Sequence, residues 1–129
     1  MRGASVDAGF ATVEGDARQL FTAAGEELER LTAAFLAAVE GDDGAEIRRL
    51  GNAVVALKLR TFDAMESLFV RALESQPRPI RRQARNWIAS RLARPRREAE
   101  LLRHRVECGS AKLSDMANGF ATGLAEIFG

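Results

Sequence analysis

Apolar residues recur along this chain at intervals of three and four from about residue 20 to residue 127, the spacing of helices that each bury one stripe. No stretch alternates apolar and polar residues with a period of two, so strands are not expected. The first stripe is Leu20, Ala24, Leu28, Leu31, Phe35 and Val39. Val6, Phe10, Val13 and Ala17 extend it weakly towards the N-terminus, past Gly9 and Gly15. Gly41 follows the stripe where a left-handed helix cap favours glycine, which predicts a helix over about 16–40. Asp42, Asp43 and Glu46 then resemble a capping box, in which carboxylates accept from the unpaired N–H groups of a new helix. That helix carries Ile47, Leu50, Val54, Leu57, Phe62, Met65, Leu68, Phe69 and Leu73. Val55, Leu59 and Val70 widen its apolar face beyond what one neighbour would cover. Pro77 and Pro79 end it, because proline cannot donate the intrahelical bond, giving a span of 43–76.

The third stripe runs through Ile80, Ala84, Trp87, Ile88 and Leu92, then Ala99, Leu102, Val106, Leu113, Met116, Phe120, Leu124 and Ile127. Pro95 falls inside it and should break or bend the helix, at about 3 kcal/mol if left in place. Gly109 and Ser110 are a softer interruption, with Ser110 placed to cap a new helix. Helices are therefore expected over 79–93 and 96–127. The fold class is all-α: an antiparallel three- or four-helix bundle with long helices, forming one domain over residues 1–129.

Composition supports a soluble single domain. A chain of 129 residues with 47% hydrophobic and 29% charged residues is neither disordered nor membrane-embedded in character. Its longest apolar runs, 33–39 and 53–57, fall far short of the roughly 20 residues of a membrane span. Residues 1–10 hold no continuous apolar stretch of the kind a secretory signal requires. A single cysteine, Cys108, excludes an intramolecular disulfide and fits a reducing compartment. The expectation is a cytoplasmic protein.

The net charge of +1 hides a polarised chain. Residues 1–77 hold eight Arg/Lys and thirteen Asp/Glu, whereas residues 78–106 hold ten arginines and two glutamates. Only Lys58 and Lys112 are lysines, so the basic chemistry is arginine chemistry, able to pair bidentately with carboxylate or phosphate. A composition rich in Ala, Arg and Gly is also what a GC-rich bacterial genome produces. Arg78, Arg81, Arg82 and Arg85 share one helix face, opposite Ile80, Ala84 and Trp87. That face lies along a nucleic-acid backbone, meets the acidic first half of the chain, or is simply solvated. Trp87 is the one aromatic among these arginines, which argues against a platform for stacking single-stranded bases.

No catalytic, cofactor or metal constellation is legible. His104 is the only histidine and reads as a solvated helix-face residue; no Cys/His cluster has ligand spacing. Cys108 reads as a buried or half-buried structural thiol, since no base is placed beside it by a recognisable motif. Glycines are scattered singly, so no phosphate loop is present.

Glu26-Glu-Leu-Glu-Arg-Leu31, Ala37-Ala-Val-Glu-Gly-Asp42, Ile47-Arg-Arg-Leu50 and Phe62-Asp-Ala-Met-Glu-Ser-Leu68 together resemble the helical hairpin of FlgN-type flagellar export chaperones. Glu98-Ala-Glu-Leu-Leu102 is similar to the opening of that family's long third helix. The resemblance implies a C-terminal amphipathic element that grips a client, matching Leu113, Met116, Phe120 and Leu124 here. The lysine usual after the hairpin turn is absent near Asn52, and residues 78–105 are richer in arginine than the family pattern. Gly41-Asp42 with Leu50-Gly-Asn-Ala-Val54 is also similar in spacing to histidine phosphotransfer domains. The phosphorylated histidine would fall at Gly51 or Asn52, neither of which can serve.

The expected function is a non-enzymatic adaptor or secretion chaperone that holds a partner's helix on Leu113, Met116, Phe120, Leu124, Val55 and Leu59. The alternatives are a nucleic-acid-binding protein using Arg78, Arg81, Arg82 and Arg85, or a structural subunit of a larger assembly. A homodimer or other homo-oligomer is a further way to cover the surplus apolar surface.

Overall fold

The computed structural model describes residues 4–117, with side chains over residues 13–116. Four helices follow one another: α1, Ala4–Glu40; α2, Gly44–Ala72; α3, Arg78–Glu107; and α4, Leu113–Ala117. Among the described residues there is no strand, and the fold is an all-α bundle. Candidate positions Phe120, Leu124 and Ile127 lie outside the described residues.

The connection between α1 and α2 is closed by backbone alone. Asp42 N–H donates to the Val39 carbonyl at 3.1 Å and Asp43 N–H to the Ala38 carbonyl at 3.0 Å, the paired bonds of a Schellman motif. The left-handed residue is Asp42, at φ 52°, and not Gly41 as the sequence suggests. Asp43 is the N-cap of α2 and accepts from Glu46 N–H at 3.2 Å. Glu46 does not return the bond; its carboxylate takes Arg49 Nε at 2.9 Å, so only half of the expected capping box forms.

α2 is the central element, packing against α1 on one side and α3 on the other, while α1 and α3 have no comparable contact with each other. This explains its surplus of apolar positions. Val55, at 2% exposure, and Leu59, half-buried, belong to the second of its two core faces. A partner groove is not needed to cover Val55. α1 contributes Val13, Ala17, Phe21, Ala24, Leu28, Phe35 and Ala38 to the core. The stripe therefore leaves through Ala38, and Val39 stands exposed.

α3 runs unbroken through Pro95. Its buried residues, Ile88, Leu92, Pro95, Ala99, Leu102 and Val106, step by four and three throughout, with the proline itself on the buried stripe. Proline costs the helix about 3 kcal/mol. Each large neighbour in the stripe returns roughly 1.5–3 kcal/mol on burial, so tertiary packing holds the turn that the sequence alone would break. The interruption comes instead at Gly109, φ 71°, where Gly109 N–H donates to Val106 and Ser110 N–H to Arg105. Ser110 thus closes α3 and does not open the next helix. α4 is started by Asp115, whose Oδ2 accepts from Lys112 N–H at 2.9 Å. α2 and α3 approach closely at Gly51: a Cβ there would lie 2.7 Å from Val106 Cγ2.

Candidate interaction surface

The basic segment of α3 divides into two parts by what its arginines meet. Arg96 reaches across to α2, donating to Asp63 at 2.9 Å and to Glu66 at 2.6 Å. Arg105 pairs with Asp115 at 3.0 Å, Arg103 with Glu100 at 2.9 Å, and Arg94 with Glu98 at 3.4 Å. Arg96 meets the acidic first half of the chain, as one reading of the sequence expects, whereas Glu98, Glu100 and Asp115 lie on α3 itself or on α4. The N-terminal half is different. Arg78, Arg81, Arg82 and Arg85 are exposed, and among the described residues none pairs with a carboxylate. Residues 78–97 contain eight arginines and no Asp or Glu at all.

The helix start itself is poorly suited to that charge. Pro77 is the N-cap and makes no side-chain cap bond, and the first turn carries no acidic residue. Arginines there oppose the positive end of the helix dipole, an arrangement disfavoured by about 0.3–1 kcal/mol per charge. Arg81 and Arg85 also continue, by steps of four and three, the stripe that becomes Ile88, Leu92 and Pro95 further along. Positions that are apolar core lower down the helix are arginine here. The two side chains face a shallow cleft of about 230 Å³ between the end of α2 and the start of α3. Phe69, Val70, Leu73 and Ala84 supply its apolar wall, and Arg71 and Glu74 complete the rim. Below it, Trp87 packs on Phe69 with ring centroids 5.5 Å apart, and Arg91 lies over the indole at 5.6 Å.

Of the residues expected to grip a partner helix, Phe120 and Leu124 lie outside the described residues, and the other four differ in how far they are open to a partner. Met116 is fully buried and Val55 nearly so, both inside the chain's own core. Leu59 is half-buried against that core, whereas Leu113 is 38% exposed at the start of α4. Leu101, which the sequence did not single out, is 49% exposed on α3. It borders a second cleft, of about 340 Å³, with Phe62, Pro95, Glu98, Arg105 and Asp115.

Lys58 opens onto this second cleft and is only 5% exposed. Its Nζ donates to the Asp115 backbone carbonyl at 3.2 Å, tying α4 to α2. Burial lowers its pKa to about 8, with the charges of Glu98 and Asp115 pulling in the opposite direction. Nothing in the sequence marks Lys58 except that it interrupts an apolar face. His104 is exposed, as read from the sequence, but Cys108 is exposed too, at the C-cap of α3, and is not the buried thiol expected. Asn52 is exposed and Gly51 buried under Val106, so the position similar to a phosphotransfer site is a packing contact. Among the described residues no group of three or more His, Cys, Asp or Glu side chains could hold a metal ion, and no helix is long and apolar enough to cross a membrane.

The chain matches no family model, no curated protein and no solved structure.

Proposed function

We propose that this protein is a non-enzymatic helical adaptor, of the kind represented by secretion chaperones, that holds a segment of another protein. The observation carrying this reading is the end of the bundle where α2 stops and α3 begins. There Arg78, Arg81, Arg82 and Arg85 are exposed without a carboxylate partner among the described residues, beside an apolar-walled cleft. Arg78 and Arg81, in the first turn, oppose the helix dipole, and Arg81 and Arg85 take positions on the core stripe, which lowers the stability of the isolated chain. Such local inconsistencies are characteristic of binding surfaces. The α2–α3 end is taken as the working surface; of the C-terminal stripe, Met116 is buried, Leu113 is exposed, and Phe120 and Leu124 lie outside the described residues.

The test is a tagged pull-down from host lysate, with and without nuclease, comparing the native chain with an R81E/R85E variant. Proteins that survive nuclease and are lost with the variant support the adaptor. A second reading, nucleic-acid binding, is favoured by the run of eight arginines without an acid over 78–97. It requires that capture disappear on nuclease treatment, and that affinity for a DNA or RNA duplex fall steeply and linearly in log–log form as salt rises.

A further inference from the structure

We infer that the cleft between the end of α2 and the start of α3 takes an acidic amphipathic helix, one apolar side chain entering the cleft while carboxylates on either side pair with Arg81 and Arg85. The inference rests on the adaptor reading and gives its partner a chemistry.

Three features of the surface argue for that occupant. Arg81 and Arg85 are four residues apart on one helix, so their Cβ atoms stand about 5–6 Å apart. Carboxylates spaced by three or four on a partner helix have the same separation, and each can accept a guanidinium bidentately. Between the two arginines and α2 the cleft is lined by half-buried Val70 and Ala84, over Phe69 and Leu73, which are almost wholly buried. The cleft volume of about 230 Å³ exceeds the roughly 150 Å³ that suffices for a benzene ring in a protein cavity, so one leucine- or phenylalanine-sized side chain fits. Arg71 on the α2 side adds a third cation at the rim.

The same features disfavour a phosphate backbone. A sugar–phosphate chain has no apolar side chain to place against Val70 and Ala84, while Glu74 on the rim opposes phosphate and carboxylate alike. Trp87, the nearest indole, is half-buried and held between Phe69 and Arg91, and does not present a face for stacking a base. An amphipathic acidic helix satisfies the arginines and the apolar wall together, which is the usual way a helix is read by a groove.

The experiment uses the full chain and a panel of labelled helical peptides about 15 residues long, the length at which isolated helices begin to hold. Each carries one leucine flanked by glutamates at spacings of three and four, and each has a twin with glutamine in place of glutamate. A labelled single-stranded oligonucleotide is the second probe. Fluorescence anisotropy at low salt is expected to show binding of at least one acidic peptide. Its glutamine twin, and the R81Q/R85Q variant, should each bind at least about tenfold more weakly, the equivalent of one charge-assisted hydrogen bond. Circular dichroism checks that R81Q/R85Q keeps the native helicity, and R30Q/R48Q is a charge-matched control that should bind normally. Equal binding of acidic peptide and twin, or no binding by any peptide, overturns the inference. So does binding of the oligonucleotide alone, or a salt-sensitive self-association that R81Q/R85Q dissolves, because the occupant is then a nucleic acid or a second copy. If lysate partners survive nuclease but bind R81Q/R85Q unchanged, the adaptor reading stands and only this inference fails.

Discussion

Gly51 and Lys58 lie two turns apart on α2 and set opposite demands on the core. At Gly51 the missing side chain lets α3 approach, with Val106 methyls filling the space a Cβ would take. Val106 is stiff at χ1 in a helix and cannot swing away. Gly51→Ala should therefore destabilise the protein by about 1–3 kcal/mol in urea titrations, despite the better helix propensity of alanine. Val106→Ala should recover part of that loss, so that the double variant is more stable than the two single changes add up to. Lys58 is the reverse case, a charge in a place built for apolar atoms. Its pKa in the fold is about 8 against an ordinary 10.5. Below pH 8 folded and unfolded chains both hold the proton, and the cost of burying the charge is constant. Between pH 8 and 10.5 the unfolded chain keeps a proton that the folded chain has released, so stability rises with pH, by about 3 kcal/mol. Lys58→Met should remove that rise, measured as the difference between native and variant unfolding free energies across the same pH series. An unchanged rise in the variant would assign it to another group.

At the scale of elements, the helix ends follow a common design with different residues. α1 and α3 each stop in a Schellman motif, the first with Asp42 and the second with Gly109 in the left-handed conformation. Aspartate adopts that conformation at a steric cost that glycine does not meet. Asp42→Gly should accordingly raise stability, and Gly109→Ala lower it, each by about 1 kcal/mol and readable as opposite shifts in thermal midpoint. The stops of α1 and α2 were legible to within a few residues from glycine and proline placement, but the break expected at Pro95 comes at Gly109; which residue would turn left-handed was not legible, because that depends on the carbonyls each N–H finds. Pro95 shows a deeper limit. Its effect on an isolated helix is plain from its chemistry, yet α3 continues, since Leu92 and Ala99 on either side are buried against neighbours that no local pattern contains. Val55 was left open between core and partner for the same reason. An extra apolar position on α2 means a second partner, and sequence periodicity cannot say whether that partner is α3 or another protein.

Across the whole molecule, charge is segregated along with the helices, and the arginine density of the α3 start was evident from the order of residues. What that order left open was its pairing. The structure commits Arg96 and Arg105 to Asp63, Glu66 and Asp115 and leaves Arg78, Arg81, Arg82 and Arg85 outside. Clustered like charges at the positive end of a helix oppose folding, and a partner's carboxylates would relieve them. Arg81→Leu with Arg85→Leu, which extends the apolar stripe, should stabilise the isolated chain by about 0.5–1 kcal/mol in low salt and by less at high salt, where the repulsion is screened. A double variant less stable than the native chain at low salt would mean that these arginines already have a structural role.

The central position of α2 also bears on how quickly the chain reaches this arrangement. Each long helix packs chiefly on its neighbour in sequence, and α4 against α1 is the one extensive contact between distant elements. Chains dominated by such short loops fold in microseconds to milliseconds. Stopped-flow refolding should show a main phase at or beyond the dead time of mixing, with the seating of α4, followed through the pH-dependent Lys58 contact, as the step that sets any slower one.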